Sequence, residues 1–245
     1  MKKLIQSIAN KLGYHINRSS RLQAASDPFV AMQHLLGCVA KPIIFDVGAH
    51  HGHVARHFRS SFPNSEIYCF EPFPESFQRL SENTTNDPAV HVFNFGFSDH
   101  IGSLAFNCNL SSATNSLLQT DQIGSATWGE GLLNTEKIIN ARFETLDSFV
   151  AQHKIREIDI LKLDVQGAEP MVMLGSTKAC SSRMIHIIYS EIIIQPTYAG
   201  QKRFDEALAA FYDRGFDLYN VYNMNCTIDG RLRQVDAIFT RQGEK

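Results

Sequence analysis

Apolar residues fall in short bursts along the chain, and the bursts keep two different rhythms. The runs IIFDV (43–47), EIYCFEP (66–72), VHVFNFGF (90–97), IDILKLDV (158–165), MIHIIYSEI (184–192), FDLYNVY (216–222) and VDAIFTR (235–241) are short and rich in β-branched and aromatic residues. Such runs predict strands, the innermost of them buried on both faces. Between them the spacing becomes helical. HVARHFRSSF (53–62), PESFQRLSENTT (74–85) and FDEALAAFYDRG (204–215) predict helices, with Pro74 suited to a first turn and Gly215 to a stop. Asp229-Gly230 predicts the turn joining the last two strands.

Strands alternating with helices imply an α/β domain, a doubly wound and mostly parallel sheet with helices on both faces. Residues 41–245 carry this pattern. Residues 1–40 read as a helical extension, with Leu4, Ile5, Ile8, Leu12 and Ile16 at helical spacing among Lys2, Lys3, Lys11 and Arg18. Such a helix either packs on the domain or lies on an anionic membrane surface, so membrane contact is at most peripheral. One segment breaks the rhythm. Residues 107–140 are rich in Ser, Thr, Asn and Gly, contain Trp128, and read as a long irregular lid or acceptor-binding insertion.

Composition narrows the classes. A net charge of -2 and a pI near 6.5 give no general pull toward nucleic acid. Five scattered cysteines without a C-x-x-C pair suit a reducing, cytoplasmic setting. No apolar run reaches the roughly 20 residues that span a bilayer. Self-association is left open.

The chemistry concentrates in FDVGAHHGHVARHF (45–58). A phosphate loop of the G-x-x-x-x-G-K-[ST] kind is excluded, because Gly48 and Gly52 are too close and no lysine follows. A dinucleotide fingerprint needs glycine where His50 stands. A zinc site at His50, His51, His53 and His57 lacks a third ligand and a glutamate at the required spacing. An acid closing a strand, then G-x-x-x-G, then a helix, instead suits a cationic ligand without phosphate. S-adenosylmethionine is such a ligand. Asp46 would attract its positive end, and the helix N-terminus at 52–54 would offer N–H groups to its carboxylate. Glu71, closing the second strand, is placed to accept ribose hydroxyls or simply to cap the turn.

Taken together, IIFDVGAHHG, CFEP, FNFGFSDHIG, TLDSF and IDILKLDVQGAEPMVMLG resemble, in order, the motifs of the FkbM family of S-adenosylmethionine-dependent methyltransferases, over about residues 42–240. The resemblance implies a seven-stranded, Rossmann-like class I methyltransferase domain. It implies that Asp46, Gly48, His50 and Gly52 form the methionine-side loop and that Glu71 holds the ribose. It places Ser98 and Asp99 near the adenine, and Asp164 and Glu191 at the acceptor pocket. Two positions depart from the family: His50 stands where asparagine is frequent, and Gln166 where glutamate is frequent.

The fourth predicted strand adds its own argument. Ligands of open parallel sheets sit beyond the carboxyl ends of strands where strand order reverses, so Asp46 and Asp164 should reach one cleft. Two carboxylates there could steer and stabilise a sulfonium cation, and one of them, with a raised pKa, could take a hydroxyl proton as a general base. Lys162, two residues before Asp164, points to the same face and either tunes it or forms a structural ion pair beneath the site. Asp147 in TLDSF reads as the cap of the helix that follows, and Gly167 and Glu169 as the turn into the next helix. The expected reaction is methyl transfer to an oxygen of a small-molecule acceptor, first of all a sugar or glycan, with a polyketide-like metabolite as the alternative. Trp128 either stacks on a sugar ring or anchors its loop. A divalent metal is not predicted, although Asp164 and Glu191 could supply oxygen ligands. An NAD-dependent oxidoreductase and a non-catalytic nucleoside binder are the rival readings.

Overall fold

The structure is a computed structural model, and it describes residues 24–121, 124, 128, 129 and 131–243. The predicted N-terminal amphipathic helix carrying Leu4 to Ile16, whether packed on the domain or lying on a membrane, lies outside them. The chain divides into two compact units, Met1–Gly37 and Cys38–Lys245. In the first, α1 (Pro28–Leu36) begins at Asp27, whose side chain accepts from the backbone N–H groups of Phe29 and Val30. That is the ordinary way to satisfy the orphan donors of a first turn.

The second unit is built on a seven-stranded sheet. In chain order its strands are β1 (Ile43–Val47), β2 (Glu66–Phe70), β3 (Val90–Phe93), β7 (Ile158–Leu163), β8 (Ile185–Ile193), β9 (Phe216–Cys226) and β10 (Leu232–Arg241). They lie in the order β3-β2-β1-β7-β8-β10-β9. All neighbours are parallel except β10, which runs antiparallel to both β8 and β9. The order reverses between β1 and β7, so the crevice beyond their carboxyl ends is the place the topology reserves for a ligand. The helices are α2 (His53–Ser61), α3 (Pro74–Thr84), α4 (Leu146–Gln152), α5 (Glu169–Leu174), α6 (Thr177–Ser181) and α7 (Phe204–Tyr212).

The central strands read as continuous apolar runs because both faces are covered. All six residues of β7 are buried. Beneath α4, Phe149 meets Phe70 edge-on at 4.9 Å and Phe93 at 5.1 Å, with Phe45 and Phe97 in the same cluster. Removing the Phe149 ring would cost about 3–5 kcal/mol. The cluster fixes the sheet edge from which the loops after β1 and β2 project.

The single strand expected over 90–97 is two. After β3 the chain turns at Asn94, whose side-chain amide donates to the Glu71 carbonyl. β4 (Gly96–Phe97) then leaves the large sheet for a three-stranded one, ordered β4-β6-β5, with β5 spanning Gly102–Asn109 and β6 Thr135–Glu144. A Cβ on Gly96 would stand 2.4 Å from the Phe143 ring, so glycine permits this crossing. Both ends of the 107–140 segment are therefore strand, paired antiparallel from Gly102↔Phe143 to Asn109↔Thr135. A one-turn 3-10 helix, Ser112–Thr114, follows β5.

Asp147 caps a helix, but not the one that follows it. Thr145 caps α4 by accepting from Ser148 N. The Asp147 carboxylate accepts from Lys178 N and Ala179 N at the start of α6.

Candidate active site

A cleft of ≈ 880 Å³, counting the open space at its mouth, lies beyond the ends of β1 and β7. Its floor is the loop after β1, Gly48 to His51. One wall is Glu71 and Pro72, a second is Asp164 to Gln166, and a third, apolar, is Phe97, Phe106 and Phe143. Residues 112–117 supply the remaining side through Ser112, Ala113, Asn115 and Leu117.

The floor is set by backbone geometry. Gly48 has φ 78°, and a Cβ there would stand 1.9 Å from the Asp164 carbonyl oxygen. Only glycine lets the loop lie this close to the end of β7. His50 also holds a positive φ, 49°, a conformation uncommon for a residue with a side chain. That turn aims its N–H at Glu71 Oε2, 2.8 Å away, while Phe73 N donates to Oε1 at 2.9 Å. Burial pushes the Glu71 carboxyl up to about 7, against the pull of these two donors. Each oxygen keeps acceptor capacity for a ligand hydroxyl.

The His50 ring reaches across the cleft, with Nε2 2.8 Å from Ser112 Oγ, and it stacks on His51 at 3.6 Å. Burial, helped by the neighbouring His51, lowers its pKa to about 4, so the ring is neutral near pH 7. His53 and Val54 line the mouth, whereas Gly52 is turned toward Leu80 and lies outside the cleft.

The paired acids divide into one that faces the cleft and one that does not. Asp46 and Lys162 are in-register partners on β1 and β7, so their side chains stand together on one face. Asp46 is fully buried and outside the cleft, with Lys162 Nζ 2.9 Å from its Oδ1. Nζ also donates to the Gly48 carbonyl at 3.0 Å and lies 3.5 Å from Asp164 Oδ2. Burial opposes the ammonium charge, but Asp46 and Asp164 outweigh it and hold the lysine above its usual range. Lys162 thus ties the floor to the wall from beneath, and Asp46 is not among the residues that line the cleft. The Asp164 side chain, 34% exposed, does open onto the cleft.

Glu191 stands behind that wall. Its Oε2 accepts from Gln166 Nε2 at 2.7 Å and its Oε1 from Gln234 Nε2 at 2.6 Å. Burial, then the neighbouring Asp164 charge, raise its pKa well above the usual carboxylate range. Gln166, in a positive-φ turn at 54°, also donates to Asp164 Oδ1 and accepts from Tyr198 at its own Oε1. The turn closes through Glu169, whose Oε1 accepts from Val165 N and Gly167 N.

Ser98 and Asp99 lie away from the cleft. β4 pairs with β6 at Phe97↔Glu144, which presents Phe97 to the cleft, and Ser98 is buried against Gly175. Asp99 accepts from Ser98 Oγ and bonds the exposed His100 ring. Trp128 is also outside the cleft. Its Nε1 donates to Thr197 Oγ1 at 3.1 Å, and the Arg233 guanidinium sits 4.2 Å over its ring. Sequence reasoning missed the aromatic wall of Phe106 and Phe143 and the polar side of Ser112 and Asn115. The richness of 107–140 in Ser and Asn was the available signal, but without strand register it named no residue.

The chain is similar in sequence to known proteins. The methyltransferase FkbM domain matches over residues 46–218. The 2-O-methyltransferase NoeI of Sinorhizobium fredii is 28% identical over 166 residues, covering 65% of this chain and 67% of that protein. The hexuronic acid methyltransferase AglP of Haloferax volcanii is 25% identical over 141 residues, covering 57% of this chain and 52% of that protein. The match thus spans between about half and two thirds of these relatives. Among solved structures, the precorrin-6y C5,15-methyltransferase of Geobacter metallireducens superposes with a TM-score of 0.47 at 12% identity, covering 88% of this chain and 87% of that one. A likeness at that level bears on neither ligand nor reaction. With the strand order reversing between β1 and β7, and with the domain match covering every motif around the cleft from Asp46 to Glu191, the chain belongs to the FkbM family of methyltransferases.

Proposed function

We propose that the chain is an O-methyltransferase that takes its methyl group from S-adenosylmethionine and delivers it to a hydroxyl of a sugar or sugar-like acceptor. One observation carries the choice of donor. Among the described residues lining the cleft, Lys162 is the sole lysine or arginine, and Asp46, Asp164 and the Gly48 carbonyl already engage it. Among those residues no cation is left to balance the phosphates of a dinucleotide, while the Asp164 carboxylate is turned toward the cleft. That charge pattern suits a cationic nucleoside without phosphate and disfavours the nicotinamide alternative.

The residues fit such a group. Glu71 would accept the ribose hydroxyls with the lone pairs its backbone donors leave free. Pro72, Phe97 and Phe143 offer apolar surface for a flat ring. The loop at Gly48 to His50 and the Asp164 wall would hold the amino-acid end. When bound, S-adenosylmethionine supplies an electrophilic methyl group on a sulfonium. The protein's own part is positioning, exclusion of water, and acceptance of the hydroxyl proton. Asp164 is the carboxylate that opens on the cleft, so Oδ2 of Asp164 takes that proton. Lys162 holds Asp164 from below, and Glu191 acts through Gln166 rather than on a ligand.

The oxygen acceptor rests on the relatives, whose names specify 2-O-methylation and hexuronic acid. The test is calorimetry with S-adenosylmethionine and S-adenosylhomocysteine, followed by labelled-methyl transfer to a panel of hydroxylated glycosides that includes hexuronides. Binding of both nucleosides, label in a glycoside ether, and loss of transfer even at saturating S-adenosylmethionine in Asp164→Asn are expected. A protein that binds neither nucleoside would end this reading.

A further inference from the structure

One buried donor on the cleft has no hydrogen-bond partner among the described residues. Asn115 is 8% exposed and lines the cleft. Its Oδ1 accepts from Asn109 N at 2.8 Å, which fixes the orientation of the amide, because that N–H needs an acceptor. Nδ2 is therefore turned away from Asn109, and it has no hydrogen-bond partner among the described residues. Buried polar groups are ordinarily satisfied, so an orphan donor on a ligand cleft marks a place where the ligand completes the bonding.

The neighbouring contacts say which part of the cleft this is. Ser112, three residues before, meets His50 Nε2 and so tethers the segment to the floor after β1. Ser116, one residue after, donates its hydroxyl to the Gln166 carbonyl at 2.7 Å and so tethers it to the wall after β7. Asn115 hangs between the two tethers. It lines the same cleft as Gly48, His50, Glu71, Asp164 and Gln166.

We infer that Asn115 is a donor-binding residue whose Nδ2 donates to the carboxylate of the amino-acid end of the methyl donor. This rests on the proposed function above and adds to it. Among the described residues no free lysine or arginine lines the cleft, so a carboxylate there must be held by neutral N–H donors: the backbone at the start of α2 and the Asn115 amide. The segment 112–116 then has a defined task, which is to close the amino-acid end of the site from above.

The test compares S-adenosylhomocysteine with 5′-methylthioadenosine, which keeps the nucleoside and lacks the amino-acid end, by calorimetry on the whole chain. Asn115→Asp keeps the oxygen that Asn109 N needs and replaces the donor by a negative charge. We expect Asn115→Asp to weaken S-adenosylhomocysteine by about tenfold or more and to leave 5′-methylthioadenosine within about twofold of wild type. Asn115→Ala, measured beside it, should weaken the first ligand about fivefold or more and spare the second. Equal weakening of both ligands would show a merely structural residue and overturn the inference, as would unchanged affinity for S-adenosylhomocysteine in both variants. A wild-type protein silent toward both ligands would instead overturn the donor assignment on which the inference stands.

Discussion

Gln166 donates its amide Nε2 to Glu191 Oε2 at 2.7 Å, and the same nitrogen lies 2.9 Å from Asp164 Oδ1. Two hydrogens on one neutral group thus serve two carboxylates. Tyr198 reaches Oε1 of the same amide from the other side. The substitution Gln166→Glu would exchange a double donor for a third acid among two. The variant should lose about 1–3 kcal/mol of stability at pH 7. The loss should shrink at pH 5, where the introduced carboxyl group is protonated and donates one hydrogen bond. Urea unfolding at both pH values checks this, and equal losses at the two would count against the bridging role.

Lys162 gives the second prediction. It is 4% exposed and faces Asp46, which is fully buried. Lys162→Met removes the one positive charge from two carboxylates and frees the Gly48 carbonyl. Breaking a buried pair from one side typically costs about 3–5 kcal/mol. The paired change Lys162→Met with Asp46→Leu should recover much of that loss, since an apolar pair can replace a buried ion pair of similar volume. Denaturant midpoints of the two single variants and the double variant give the coupling energy directly.

Trp128 supports a third. The ring is held by Thr197 and Arg233 and packs near Leu118 and Tyr198, away from the cleft. Trp128→Ala should therefore cost stability, on the order of 1–3 kcal/mol, and leave S-adenosylhomocysteine affinity unchanged. An anchor predicts no rise in acceptor KM beyond what a loosened loop causes. A rise with unchanged stability would restore the stacking alternative.

How far the sequence revealed these features depends on what each residue's signal consists of. β1, β2, β7 and β8 end within two residues of their predicted limits, because buried parallel strands carry uninterrupted apolar runs. The crevice followed from chain order alone, since β1 and β7 had to flank the reversal. β5 and the outer half of β6 were hidden, because five of the first six residues of β6 are exposed and read as polar loop. Asp46 and Asp164 look alike in sequence, each an acid near a strand end. Only the in-register pairing of Asp46 with Lys162 shows that one is sealed beneath the floor. Glu191 was placed at the right strand end, but nothing in the chain announces that Gln166 would screen it. Asp147 carries a real capping signal, and its partners, Lys178 and Ala179, lie too far along the chain for local pattern to reach.

The pH dependence of stability follows from the buried acids, and its sign differs from that of an ordinary surface carboxylate. Burial raises both Glu71 and Glu169 to about 7, from about 4.5 in an unfolded chain. Between those values the folded state holds two protons that the unfolded state has released. Stability therefore falls as pH rises from about 4.5 to about 7, by roughly 1.4 kcal/mol per pH unit for each group, and levels off above. His50 acts in the opposite sense. Its pKa is lowered to about 4 from 6.5, so between those values the unfolded state binds the extra proton, and stability rises with pH. The histidine offsets one carboxyl up to about pH 6.5, and above that the full fall of the two acids is exposed. Glu191 and Asp236, both raised chiefly by burial, act with the acids. Glu71→Gln removes one contribution, so its stability should fall less steeply than wild type between pH 5 and 7, by about 1.4 kcal/mol per unit. Urea midpoints at pH 5, 6 and 7 measure the two slopes, and parallel lines would show that Glu71 does not carry a proton in the folded protein.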